Sequence, residues 1–509
     1  MPNRDVTSAR RYHDGTKHSA ARLRAHPHYL DWDIKPLPFK IYPHSEPLQL
    51  PRELPPSSVP ALRAITTTAA TVAPSVPSLK TLARILYFSA GITRKKTYPG
   101  GQEHHFRAAA CTGALYHIDL YVICGELPGL AAGVYHFGPH DFSLYQLRAG
   151  DYRGVLVEAT GGEASVAHAP VILACASTYW RNAWKYQARA YRHCFWDSGT
   201  ILANLLAVTA ADDVPSRTVT GFVDDTVTAL LGLDPQREGP LALVALGYEP
   251  GATPPRPPVP AITLETLPLS AREVDYPAIR EMHAASSLQT PEEVRAWRDS
   301  PTSPAQQSLP AGQIIPLRPL DAAAAPSETI DSVITRRGST RQFAQVPITF
   351  EQLSTILQTG PRGVAADYGA SPNDLYLIVN AVEGLSPGTY VYHRDTSSLE
   401  LLRAGSFRRE AGHLGLGQDL PADASVNVYV LCHLEPLLAR FGSRGYRVAQ
   451  LDAAITGGKL YLAAYALRLG ATGLTFFDDD VTEFFSPHAA GKSVMFLIAV
   501  GKGQKMHMR

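Results

Sequence analysis

Residues 334–343, ITRRGSTRQF, set Arg337, Ser339 and Arg341 on alternate positions. In an extended chain, period-2 geometry turns all three side chains the same way. Two guanidiniums and a hydroxyl on one side make a receptor for a phosphate, because arginine offers paired, charge-assisted donors. Alone, such a motif is more often a solvated basic segment, so it needs support from the rest of the chain. Other chemistry-bearing clusters carry less. His104-His105 and the N-terminal histidines have no carboxylate or cysteine at ligand spacing, so no metal site is expected. Asp478-Asp479-Asp480 reads as an acidic loop or helix start. GHLGLG at 412–417 is not GxGxxG and follows no clear strand, which leaves a Rossmann site unsupported.

The elements that must position the arginines occur twice. GLAAGVYHFGPHDFSLYQLRAGD begins at Gly129 and GLSPGTYVYHRDTSSLELLRAGS at Gly384, 255 residues later. The same offset links Tyr135 to Tyr390, Leu144 to Leu399, Tyr191 to Tyr446 and Asp197 to Asp452. Near the end of each copy it becomes 254, as for Phe222 and Phe476 or Asp224 and Asp478. A register kept this long marks a duplication of a unit of ordinary domain size. Apolar runs such as LYVICGEL, APVILACAS, NVYVLCHL and VMFLIAVG read as buried strands. SLKTLARILYFSAG, DSGTILANLLAVTAA and DAAITGGKLYLAAYALRLG have helical length and spacing. Each copy is therefore expected to be α+β, layered around one sheet.

Residues 1–55 read as a Pro- and His-rich arm that wraps the surface, residues 56–248 as the first domain and 328–509 as the second. Between them, 249–327 begins with ATPPRPPVPAI and reads as an extended linker, interrupted by a helical patch, TPEEVRAWRDS, with Thr290 as its N-cap. The composition is 45% hydrophobic and 18% charged with net charge +1, which points to neither nucleic acid nor an acidic membrane surface as partner. Five scattered cysteines without a CxxC pair suit a reducing, cytoplasmic setting. The N-terminus lacks the apolar core of a signal peptide, and no run of about 18 uninterrupted apolar residues predicts a membrane span.

RRGSTRQF followed by PITFEQLSTIL resembles the opening of nitroreductase-superfamily domains. LARILYFSAGITR at 82–94, TGALYHIDLYVI at 112–123, GVYHF, KYQARAYR at 185–192 and the Phe-x-Asp-Asp stretch resemble the SagB/ThcOx-type dehydrogenase branch of that superfamily. The resemblance covers about residues 60–247 and 330–502 and implies an α+β dimer fold with FMN at the subunit interface, here fused into an intramolecular pseudo-dimer. It assigns the ribityl phosphate to Arg337, Ser339 and Arg341, with Lys502 adding a contact. It further implies a loop at Gly470-Ala471-Thr472-Gly473 that offers N–H groups to the flavin ring. Across the interface, the loop Ala110-Cys111-Thr112-Gly113 of the first copy would close the flavin face, although it lacks the family's Pro-Ser start. The dehydrogenase branch also carries a Lys-Tyr pair, matched by Lys185-Tyr186. Oxidising a ring needs a proton taken from one atom while hydride leaves its neighbour, and either side chain can act as base or polarise the ring.

The copies differ where this chemistry sits. The stretch AITTTAATVAPSVPSLKTLA, residues 64–83, contains no arginine, and Arg440-Phe441 stand where the first copy has Lys185-Tyr186. One composite site would keep both the clamp and the pair, its twin neither, and one FMN per chain is expected. The expected function is an FMN-dependent dehydrogenase acting on a small molecule or an azoline-containing modified peptide. A nitro or quinone reductase, with NAD(P)H as transient donor, and a degenerate non-catalytic scaffold are the competing readings. The expected assembly is a monomeric pseudo-dimer or a homodimer of it.

Overall fold

The computed structural model describes residues 2–69, 73–97, 101, 103–262, 264–301, 312–321 and 323–504. Two seven-stranded antiparallel sheets organise it. The first contains β1 (Pro47–Gln49), β2 (Ile118–Cys124), β3 (Gly133–Gly138), β4 (Ser143–Ala149), β5 (Val171–Thr178), β6 (Ser216–Val219) and β7 (Glu238–Leu246). The second contains β8 (Ile314–Pro316), β9 (Asn373–Val379), β10 (Gly388–His393), β11 (Ser398–Ala404), β12 (Val426–Cys432), β13 (Gly470–Leu474) and β14 (Ser493–Gly501). Their orders, β1-β4-β3-β2-β5-β7-β6 and β8-β11-β10-β9-β12-β14-β13, are identical in topology. The register repeats too: Leu120 lies opposite Cys175 and Leu375 opposite Val430, both pairs related by 255. The duplication read from the sequence is thus a duplication of structure.

Ten helices matter for the site. They are α1 (Thr7–Gly15), α2 (Ala20–Ala25), α3 (Tyr179–Tyr186), α4 (Ala190–Ala211) and α5 (Asp224–Leu231) in the first half, then α6 (Pro277–Ala285), α7 (Pro291–Arg298), α8 (Leu434–Phe441), α9 (Arg444–Ala466) and α10 (Asp478–Phe485). The long helices α4 and α9 are buried on every side, with charged residues such as Arg192, Asp197, Arg447 and Lys459 enclosed among apolar ones, so they lie in the core. They cross each other at small residues. A methyl group on Gly199 would fall 2.5 Å from Ala454 Cβ, and one on Gly458 would fall 2.6 Å from Ala203 Cβ. Gly199 and Ala454 are themselves 255 apart, so this contact sits on the pseudo-twofold axis, as in an isologous dimer interface. The segment 179–211 is long and apolar enough to cross a membrane, but 94% of its most apolar window is buried inside the molecule, the signature of a core helix.

The segments read as arm and linker are not simple spacers. Residues 249–327 hold α6, α7 and the edge strand β8, and α7 is N-capped by Thr290, which accepts from Glu293 N–H. Part of this segment, 302–311, lies outside the described residues. The arm folds in the same way at an offset of 270. His13 O accepts from Arg192 Nη2 at 2.7 Å, and His283 O from Arg447 Nη2 at 2.7 Å. Thr16 Oγ1 accepts from Arg192 Nε, and Ser286 Oγ from Arg447 Nε. His18 N–H reaches Asp478 Oδ2 at 2.8 Å, and Leu288 N–H reaches Asp224 Oδ2 at 3.0 Å. The repeating unit therefore includes a lead segment: α1 matches α6, α2 matches α7 and β1 matches β8.

Candidate functional site

The phosphate-type clamp lies where the two units meet. Residues 337–341 leave the helix Ile330–Arg336 in a non-helical path and dock on the free edge of the second sheet, with Thr340 N–H donating to Ala471 O at 2.9 Å. The next residues run beside the end of the chain, Ala344 N–H donating to Lys502 O at 2.9 Å and Phe343 bridging Gly503. Arg337, Ser339, Arg341, Thr472, Gly473 and Lys502 thus share one end of the second sheet, though 470–474 is an edge strand rather than the expected loop. Tyr461 of α9 supports the clamp: its hydroxyl donates to Ser339 Oγ at 2.9 Å, and the Arg337 guanidinium lies 5.4 Å from its ring centroid. Among the described residues no carboxylate pairs with Arg337, Arg341 or Lys502.

Arg337 also crosses to the first unit, donating to Ala108 O at 3.0 Å and Arg107 O at 3.2 Å. Those carbonyls begin the wall that continues through Ala110, Cys111, Thr112 and Gly113. Asp197 of α4 fixes this wall from beneath. It accepts from Thr112 N–H at 2.9 Å, Thr112 Oγ1 at 2.8 Å, Cys111 Sγ at 2.9 Å and His117 Nε2 at 2.9 Å. Tyr186 stands on the wall: at Gly113, which has φ +65°, a methyl group would lie 2.8 Å from the Tyr186 hydroxyl. The Lys185 ammonium lies 5.4 Å from the Tyr186 ring centroid. Burial, with the charges of Asp197 and Cys111 adding to it, pushes the Tyr186 phenol above its ordinary range. A lowered tyrosine pKa is therefore not what the site provides; Tyr186 is a neutral hydrogen-bond donor. Directly after the pair, Gln187 holds φ +50°, a left-handed conformation unusual outside glycine, where the second unit has Gly442 at φ +67°.

Three residues that the sequence reading did not single out complete the cleft. His193 of α4 gives Nδ1 to Asn182 Oδ1 at 2.8 Å, while its Nε2 is buried without a hydrogen-bond partner. Burial and neighbouring Arg189 hold its pKa well below the ordinary histidine range, so the ring is neutral with an acceptor lone pair on Nε2. The ring sits edge-on to Tyr186 at 4.6 Å and tilted against Trp196 at 4.8 Å. Trp196 in turn meets Phe476 and Phe496 of the second unit, each at 5.7 Å. Nearby, Thr475 Oγ1 is buried and unpartnered. His193 and Trp196 lie within an apolar helix, so composition alone disguises them as core.

The pseudo-symmetric position is filled. Its clamp segment lacks arginine, with 70–72 outside the described residues. Ala365–Asp367 of the second unit pair with the edge of β6, Thr218 N–H donating to Ala365 O at 2.9 Å. Asp367 accepts from the N–H groups of Thr220 and Gly221 at 2.8 and 2.7 Å. Trp297 of α7, 1% exposed, occupies the remaining space: a methyl group on Gly221 would fall 2.7 Å from its ring, which packs at a tilt against Phe441 with ring centroids 4.8 Å apart. Phe441 is the counterpart of Tyr186 and Gly221 of Thr475. In consequence Val219 is completely buried, whereas its counterpart Gly473 is exposed in the first cleft.

Residues 334–502 match the nitroreductase family. A curated Methanocaldococcus jannaschii protein classed as a nitroreductase is 25% identical over 170 residues, 33% of this chain and 80% of its own. A crystal structure from Anabaena variabilis, described as a nitroreductase, superimposes with a TM-score of 0.76 at 25% identity, covering 98% of this chain and 99% of that one. A chain of the Escherichia coli microcin synthetase McbBCD complex with truncated pro-MccB17 bound gives a TM-score of 0.30 at 19% identity, covering 47% of this chain and 86% of that one. The second unit is a nitroreductase-family domain, and the chain as a whole carries the nitroreductase-superfamily fold in tandem.

Proposed function

We propose that this chain is an FMN-dependent oxidoreductase with one working cleft, and that it dehydrogenates a ring-bearing substrate in the manner of the SagB/ThcOx enzymes it resembles. The observation that carries the reading is the complementary pairing of the two clefts. Arg337 of the second unit hydrogen-bonds the wall of the first unit that ends at Tyr186, while the other cleft is closed by Asp367 and Trp297. The open cleft fits the cofactor. Among the described residues the cations at one end have no carboxylate partner, an exposed strand end follows at Gly473, and His193 Nε2 and Thr475 Oγ1 are buried without a hydrogen-bond partner toward the other end.

FMN, when bound, supplies a two-electron acceptor that takes up hydride at N5. Arg337, Arg341, Ser339 and Lys502 would hold its phosphate, and Thr472 and Gly473 would meet its ring. Lys185, as the free amine, would take the proton that leaves the substrate atom next to the hydride-bearing carbon. Tyr186, kept neutral, donates a hydrogen bond that polarises the same ring. The substrate loses two electrons and two protons' worth of hydrogen, one as hydride and one as a proton on Lys185; an external electron acceptor such as dioxygen completes the cycle. The chain supplies both halves of the cleft, so a monomeric pseudo-dimer suffices. A visible spectrum with acid-released FMN counted per chain tests the cofactor. Anaerobic addition of NAD(P)H then separates this reading from a nitro or quinone reductase, which NAD(P)H would bleach within seconds.

A further inference from the structure

Both lead segments cross a cleft, and they treat it differently. In the closed cleft the segment leaves Asp224 at Leu288, forms α7, and passes the second unit's helix at Ser300, whose carbonyl accepts from Arg440 Nε at 3.2 Å. In the open cleft it leaves Asp478 at His18 and forms α2, N-capped by Ser19 as α7 is by Thr290. It then ties to the residue before Lys185: His28 Nε2 bonds Trp184 O at 3.0 Å, and Trp184 Nε1 donates to Asp31 O at 2.7 Å. Thus α2 spans the mouth between Asp478 and Trp184.

From the caps onward the two helices are offset by 271, so Val294 matches Leu23 and Trp297 matches His26. Val294 and Trp297 are buried, 0% and 1% exposed. By contrast α2 buries no residue, and Leu23 is 39% exposed. An arm helix anchored at both ends, bonded through Arg22 to the carbonyls of Asp14, Gly15 and Lys17 yet burying none of its residues, is explained if its inner side meets a ligand. The residues exchanged between the two clefts agree: Tyr186 in place of Phe441, Thr475 in place of Gly221, and the lone acceptor of His193 between Tyr186 and Trp196.

We propose that α2 and the turn after it, residues 20–28, form the substrate-facing wall of the open cleft, with His26 the residue against which the substrate packs. This rests on the function proposed above. The indole of Trp297 fills the matching space in the closed cleft, so the substrate portion is a flat conjugated ring of about that size. An N–H or O–H on it would donate to His193 Nε2, which is held as an acceptor by the Asn182 bond.

The test is His26→Trp, which puts an indole at the position that the offset of 271 matches to Trp297, just past the end of α2. In the apo protein, the indole is expected to pin α2. Tryptic cleavage after Arg22 and Arg24 should slow several-fold, and Tm should rise by about 2–4 °C. In the FMN-loaded chain, photoreduced anaerobically, reoxidation by menadione, a flat bicyclic probe, should slow at least tenfold with FMN content unchanged. His26→Ala should instead raise the menadione KM several-fold with little change in kcat. A His26→Trp chain cleaved as fast as wild type, and reoxidised by menadione at the wild-type rate, overturns the proposal. A wild-type chain that never holds FMN defeats the function proposed above, and the proteolysis and Tm arms on apo protein still decide this one.

Discussion

The two interface clefts of this chain descend from one repeated unit and have diverged in opposite directions. The open cleft keeps Arg337, Ser339 and Arg341 on one wall and Lys185-Tyr186 on the other. The closed cleft has lost the arginines and the pair, and it is filled by a carboxylate on two backbone N–H groups and a buried indole on Phe441. A lost ligand site leaves buried polar backbone and empty volume, both of which destabilise a fold. Asp367 satisfies the first and Trp297 fills the second. The difference teaches that retired sites in fused duplications need replacement parts, and that those parts can come from segments that look like linkers.

The strongest way to break the comparison is to remove the open cleft's clamp. Arg337→Ala with Arg341→Ala should weaken FMN binding by on the order of 100-fold or more, since each charge-assisted partner is worth about 1.5–3 kcal/mol. Retention of the yellow colour through gel filtration checks it. Tyr186→Phe removes only the hydroxyl at Gly113, so the flavin should stay while the rate of flavin reduction by substrate falls about 10²-fold or more. Because the phenol is held above its ordinary range, the wild-type rate should show no Tyr186 ionisation below about pH 10.

In the closed cleft, Trp297→Ala should cost about 3–5 kcal/mol in urea denaturation, the usual cost of a large aromatic cavity, without adding a second FMN. The lead segments give a matched pair of pH effects. Burial opposes charge on Asp478, but Arg189 and Arg192 more than offset it and hold the carboxyl below its ordinary range; Asp224 is held low in the same way by Arg444 and Arg447. The stability each contributes is present above the unfolded carboxyl pKa of about 3.9 and is lost as pH falls below it. Asp478→Asn and Asp224→Asn should both flatten the acid limb of stability measured against pH. The smallest effect expected is Arg440→Lys with Phe441→Tyr, which restores the pair in the closed cleft and should leave activity and FMN content unchanged.

Much of this was legible in the residues. The constant offset of 255 is the sheet register itself, since strands of equal length and topology tolerate few insertions. The Arg337-Ser339-Arg341 motif and the Arg440-Phe441 replacements were readable because side-chain identity is the signal. The lead segments were not, because their offset is 270 and the bonds that align them run mainly through backbone atoms such as His13 O and His283 O. Trp297 could be read only as one side of a short amphipathic helix; the cleft it fills is assembled from residues of both units. His193 was hidden for a related reason: in a helix buried on all sides, a functional histidine and a core histidine have the same neighbours in sequence.

One working cleft should show itself in the FMN count per chain. Purified protein should be saturated with excess FMN, desalted, and its acid-released flavin measured against chain concentration, with Trp297→Ala run alongside. About one FMN per chain is expected in both proteins. Two per chain in the wild type, or flavin that survives the loss of Arg337 and Arg341, would contradict it.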